Sequence, residues 1–237
     1  RQEGFVHVQY RGHGRSGRVR NAALCDVTMQ TLAQDITGVL KHLRVAPRSW
    51  VAHSMGVQVA LELCRIYEPE RLVLVGGRAG HLASGFHGDN LLSDSLPKLI
   101  DYVRRHRRLT RFAWRAAPSR FALQAARQLG EVNANRMVPH DFISYWRGVK
   151  RVDPLLFLRM LAAADQHDPS DLMSNIDAIA LVIAGGEDRF VKPEYARELA
   201  DSLRHARFEL WDEATHALPA EIPSRFRDVI IKHVRSA

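Results

Sequence analysis

The sequence is poor in cysteine. Cys25 and Cys64 are the only two in 237 residues, and their separation fits no metal-binding or redox motif. That excludes a disulfide framework and a zinc ribbon. Cys64 falls on the apolar face of its helix, where a buried thiol is expected. No stretch approaches the ~18 unbroken apolar residues of a membrane span. A phosphate-binding glycine loop is also lacking: Gly12 and Gly14 have neither the third glycine nor the downstream context of a dinucleotide fingerprint. No cofactor and no metal are therefore expected. Repeats and low-complexity tracts are absent. The chain opens on Arg1 rather than methionine, and Phe5-Val6-His7-Val8 already reads as a strand. The natural N-terminus is expected to lie upstream, so a targeting signal stays undecided and a cytoplasmic location is the default expectation.

Acidic residues are scarce in one place. The chain carries 34 Lys/Arg against 26 Asp/Glu, a net charge of +8. Residues 94–127 alone hold nine Lys/Arg and two acids. The plain reading is a solvated helical face. Sharper ones are an anionic substrate, weak contact with acidic lipid headgroups or an acidic partner. The stretch has few aromatics and no reading motif, which argues against nucleic acid. With 46% hydrophobic and 25% charged residues, what is there suits one globular core plus an insertion.

The chain is organised around Val51-Ala52-His53-Ser54-Met55-Gly56. Residues 49–53 read as a buried strand and 57–67 as a helix, with Ser54 in the joint. A strand turning sharply into a helix strains its middle residue and needs small neighbours. Ala52 and Gly56 supply them. Such a turn lifts the Ser54 hydroxyl clear of the sheet and turns the Met55 N–H toward any oxyanion formed there. The same pattern also fits a serine that merely caps a helix.

Periodicity places the other elements. Residues 5–9 are expected as the first strand, followed by a glycine-bearing loop at 10–16. Leu32, Ile36, Val39, Leu40 and Leu43 mark one face of a helix over 29–44. Arg71–Gly77 is apolar on both faces, as a strand covered on two sides should be. From about 79 to 175 no strand is expected. Helices are predicted from Ser95, over 118–130, 139–150 and 154–163, the last with Asp153 as cap and Pro154 in its first turn. Strands resume at 178–184 and 207–211, each followed by a helix. Alternation of this kind implies parallel strands with right-handed crossovers. The expected fold is α/β, a mostly parallel sheet flanked by helices. Residues 1–78 and 176–237 form the core, and 79–175 an inserted all-helical cap.

Sites in such sheets collect at the carboxyl ends of the strands. Ser54, Asp188 and His216 each follow a strand, in that order. A serine needs a base to become a nucleophile, and an imidazole serves when a carboxylate fixes its tautomer. Among the histidines, His216 alone lies between the last strand and the last helix. His53 is expected as a packed residue and His13 as part of the glycine loop. Asp212 and Glu213 lie too close to His216 in sequence to reach round it, and 75–81 holds no carboxylate.

With these residues in view the sequence resembles the α/β-hydrolase fold family, in its lid-bearing serine-esterase branch. Arg11-Gly12-His13-Gly14-Arg15-Ser16, Ala52–Gly56, Gly185–Val191 and Ala214–Ala217 carry the likeness. It implies a Ser54–His216–Asp188 triad, an oxyanion hole using Met55, and a small-molecule carboxylic ester cleaved through an acyl-enzyme. Dehalogenases and epoxide hydrolases of the family have Asp where this chain has Ser54. Gln9 and Ala52 depart from the family's usual Asp and Gly. Its front strands and the loop giving a second oxyanion N–H, of the order of 50–60 residues, are not in the sequence. Other outcomes on the same residues are acyl transfer, C–C or amide cleavage, or an impaired hydrolase fold serving as a binding module.

Overall fold

The computed structural model describes residues 4–17, 19–84, 90–133 and 135–236. Arg1, on which the expectation of an upstream start rests, and residues 85–89 of the expected cap lie outside the described residues. In chain order the elements are α1 (Met29–Leu43), β1 (Ser49–His53), α2 (Met55–Ile66) and β2 (Arg71–Val75). A helical stretch follows: α3 (Leu91–Arg105), α4 (Arg107–Ala116), α5 (Ser119–Leu129), α6 (Pro139–Val149), α7 (Pro154–Asp165) and α8 (Ser170–Met173). The chain closes with β3 (Ile179–Gly185), α9 (Pro193–Ser202), β4 (Ala206–Trp211), α10 (Leu218–Glu221) and α11 (Pro223–Arg235).

The four strands form one parallel sheet in the order β1-β2-β3-β4. Side chains alternate between its faces with the period of two that a pleated strand imposes. Leu72, Leu74, Ala180, Val182 and Ala184 join the larger core, with α1, α2, α7 and α9. Val73, Val75, Leu181 and Ile183 join a smaller core with Trp211, Leu218 and Ile230, packed by α11. Both faces of β2 are covered and all five of its residues are buried. The expectation of a buried strand at 49–53 is corrected: β1 is an edge strand among the described residues, only Trp50 of its five residues is buried, and Val51 is half exposed.

Local chemistry explains the helix ends. Thr28 caps α1 by accepting a bond from the Thr31 N–H, and Arg44 closes it in the left-handed conformation with φ 54°. Asp153 caps α7 by accepting from the Leu155 N–H, with Pro154 in the first turn, where its missing N–H costs nothing.

Two further expectations need correction. Residues 5–9 form no strand. Val8 and Tyr10 pack against the larger core, but Phe5 is 80% exposed. A strand exists only through a neighbour that takes its N–H and C=O groups, and this segment pairs with none of β1–β4. Helix α3 begins at Leu91, four residues before Ser95, and carries Pro97 inside it. The first turn is anchored by a bond from the Ser93 hydroxyl to Asp165 on α7. Helix α4, not separately predicted, occupies the middle of the basic stretch.

Candidate active site

The joint after β1 places Ser54 at φ 56°, ψ −127°. An L-residue with a side chain rarely adopts positive φ, and holding it there costs on the order of 1–3 kcal/mol. The surroundings impose it. Ser54 N–H donates to the Val75 carbonyl (2.9 Å), while the Ser54 carbonyl already accepts from Val57 N–H (2.9 Å) to start α2. A Cβ at Gly56 would lie 3.3 Å from the Tyr10 hydroxyl, a tight approach, and 3.8 Å from the Ala52 Cβ, an ordinary contact. Gly77 is far more constrained: a Cβ there would meet Val57 at 2.4 Å and the Ser54 carbonyl at 3.0 Å. Only a glycine lets the chain leaving β2 pass under the turn.

The carboxyl ends of the strands bring Ser54, His216 and Asp188 together. His216 Nε2 is 2.9 Å from Ser54 Oγ, and His216 Nδ1 is 2.8 Å from Asp188 Oδ2. The Asp188 side chain is wholly buried, and that of His216 is 17% exposed. Asp188 Oδ1 accepts from Phe190 N–H and Val191 N–H, both at 2.8 Å. Those two bonds hold the carboxylate in one orientation, leaving Oδ2 for the imidazole. With Nδ1–H donating to Asp188, the tautomer leaves the Nε2 lone pair facing the Ser54 hydroxyl. Met55 is the first residue of α2, so its N–H has no acceptor within that helix.

His53, expected as packed, touches the site directly. Its Nε2–H donates to the His216 carbonyl at 2.8 Å, and the two rings lie 4.9 Å apart. Phe190 flanks the His216 ring at 4.8 Å. Desolvation, and then the charge His216 can carry, push the pKa of His53 down to about 4. As a whole the residue is exposed rather than packed; only the ring end that meets His216 is withdrawn from water. His13 keeps the loop role assigned to it, with Nδ1–H donating to the Arg11 carbonyl at 3.2 Å. Arg11 itself closes a two-bond ion pair on Asp35 of α1, at 2.6 and 2.7 Å, which ties the glycine-bearing loop to the core. Cys64 is buried, and burial pushes its pKa up to about 12; it is a packing residue rather than a nucleophile.

Besides Asp165, two buried carboxylates were not anticipated. Glu221 accepts from both the N–H and the hydroxyl of Thr215 (2.9 and 2.7 Å) and from the Asn133 N–H. It thereby fixes the residue before His216 and ties it to the segment between α5 and α6. An apolar cluster of Leu123, Val132, Met137 and Phe142 meets Ala217 on the other side of His216. Glu62 on α2, 2% exposed, pairs with His167 Nε2 at 2.9 Å and also accepts from Gln30 and Arg65. That network locks the helix following Ser54 to the chain after α7. Neither carboxylate has a local sequence signature; both lie on helices and look like ordinary surface acids until their partners are known.

A polar cleft of about 540 Å³ lies beside Asp188, lined by Arg127, Gly130, Asn133, Glu187, Arg189 and Thr215. No helix among the described residues is long and apolar enough to cross a membrane.

Comparison with known proteins agrees with this architecture. No curated protein matches the chain. Solved structures do match: an esterase from Exiguobacterium antarcticum (TM-score 0.72, 20% identity, 96% of this chain and 80% of that one); the enol-lactonase of Burkholderia xenovorans LB400 (0.72, 22%, 96% and 79%); and a bromoperoxidase from Bacillus anthracis (0.73, 18%, 96% and 80%). At such identities the likeness concerns the fold. The sequence profile of the alpha/beta hydrolase family matches residues 1–229, and the chain belongs to that family.

Proposed function

We propose that the protein is a serine hydrolase acting on carboxylic esters of small molecules. The observation that carries this reading is the unbroken hydrogen-bonded line from Asp188 through His216 to Ser54, at 2.8 and 2.9 Å. The helical segment 79–175 acts as a lid that shapes the acyl or alcohol pocket. The esterase and the lactonase among the structural neighbours cleave acyl–oxygen bonds by name, which suits the same chemistry.

The sequence of steps follows from the geometry. Ser54 Oγ attacks the acyl carbon while His216 Nε2 takes its proton. The carbonyl π electrons move to oxygen, and the Met55 N–H donates to that oxyanion. Asp188 stabilises the imidazolium without taking its proton. Collapse of the tetrahedral intermediate expels the alkoxide, to which His216 returns the proton, leaving an acyl-serine. Water then attacks by the same route, releasing the acid and restoring Ser54. The strained backbone at Ser54 supports the assignment, because strain of this kind persists where the surroundings over-determine it and clusters at reactive sites.

The test is labelling with a fluorophosphonate probe, with the modified residue mapped by mass spectrometry. Ser54 is expected to carry the label. His216→Ala should abolish it, and Asp188→Asn should slow ester turnover by on the order of 10⁴. A folded protein that takes no label, or takes it at another serine, overturns the assignment.

A further inference from the structure

Helix α4 has one committed face and one open one. On the inner face Arg107 and Arg111 reach Asp153, at 3.3 and 3.6 Å. Trp114 donates its indole N–H to the Val149 carbonyl at 3.3 Å and packs against Phe157 and Trp146. Those contacts fix the rotation of the helix, which buries none of its residues. Residues three and four apart share a side of a helix, so Arg108, Leu109, Phe112 and Arg115 are turned outward together. Phe112 is 74% exposed and Leu109 60%. Helix α5 opens after residues 117 and 118 with exposed Arg120 and Phe121, the latter 68% exposed.

The charges on this face are unspent. Arg104 and Arg105 close on Asp101, but Arg108 and Arg115 on this face, and Arg120 on the adjoining start of α5, make no ion pair among the described residues. Large apolar side chains set among unpaired arginines on one helix face match an anionic lipid–water boundary. There the rings enter the headgroup–acyl region while the guanidinium groups meet phosphates. A second copy of the chain would bring like charges into contact instead.

We propose that the outer face of α4 and the start of α5 form a docking surface for anionic lipid, with Leu109, Phe112 and Phe121 inserted and Arg108, Arg115 and Arg120 on the headgroup phosphates. This surface is independent of Ser54 and its partners, so binding can be tested whether or not the chain hydrolyses esters. It also places the helical segment that packs beside His216 against the bilayer, where amphiphilic esters concentrate.

The experiment is co-sedimentation of the whole chain with vesicles of phosphatidylglycerol and phosphatidylcholine, against phosphatidylcholine alone, at low and high salt. Binding is expected on the anionic vesicles only, weakening as salt rises. Each arginine near an anionic surface is worth roughly fivefold, so R108Q/R115Q/R120Q should weaken binding on the order of 100-fold. F112S/F121S should weaken it on the order of tenfold or more. Both variants should retain the parent's melting temperature and fluorophosphonate labelling. Equal binding to neutral vesicles, or no binding to anionic ones at low salt, overturns the proposal. So does binding that both variants leave unchanged. A dimer in solution that F112S/F121S converts to monomer, or capture by polyglutamate without capture by vesicles, assigns the face to another occupant and likewise overturns it.

Discussion

Replacing Ser54 by glycine should make the protein more stable than replacing it by alanine. Both changes delete Oγ, so both lose the same bond to His216. Both keep the backbone bonds to Val75 and Val57. They differ in how well the residue tolerates φ 56°, ψ −127°. Alanine keeps the Cβ and with it a strain of about 1–3 kcal/mol. Glycine removes that strain but gives the unfolded chain extra freedom, worth about 0.4–1 kcal/mol against the fold. The difference favours glycine by roughly 0.5–2 kcal/mol. For a chain of this size each kcal/mol moves the melting temperature by about 2–4 °C, so the gap should be about 1–8 °C. Calorimetry on the two variants, with urea unfolding as a second measure, gives the answer. Equal stabilities, or a less stable Ser54→Gly, would mean that the turn is relaxed and that no strain is held at the candidate nucleophile.

The other predictions concern two pairings that support the site. Glu62→Ala leaves the buried His167 without its acceptor, while the exposed Gln30 and Arg65 each lose one bond and Arg65 keeps Asp171. It should cost about 1–3 kcal/mol, as leaving a buried donor without its acceptor does, with Glu62→Gln recovering part of the loss; a urea midpoint shift worth less than about 1 kcal/mol would contradict it. His53 has its pKa lowered from 6.5 to about 4 in the fold, so the unfolded chain takes up its proton first as the solution is acidified. Its contribution to stability should be complete above about pH 6.5, fall as pH drops toward 4, and level off below that. His53→Gln keeps an N–H for the His216 carbonyl and cannot titrate in this range. Its stability–pH curve should be flatter across that window, and curves that run parallel would remove His53 from the acid response.

What could be read in advance, and what could not, divides along one physical line. Strand β2 was legible because both its faces are covered, so its five residues are all apolar apart from Arg71 at the entry. Asp153 announced α7 because a cap acts within two residues of itself. Ser54, Asp188 and His216 were legible as positions because each follows a strand, and a parallel sheet gathers such positions at one end. Distances were not legible: order along the chain says nothing of whether an imidazole lies 2.9 Å or 9 Å from a hydroxyl. Features resting on partners remote in sequence escaped altogether. The start of α3 depends on Ser93 meeting Asp165, 72 residues away, and Glu62 is matched by His167 at a separation of 105. Residues 5–9 show the same dependence in reverse. Their alternation has the period of a strand, yet period describes only how side chains divide between faces, while a strand requires a neighbour for its backbone. The turn at Ser54 combines both cases. Small residues at 52 and 56 foretold its sharpness, since they lie within the turn. The need for glycine at 77 arises where a different strand exit passes Val57, and only the folded chain brings those two segments into contact.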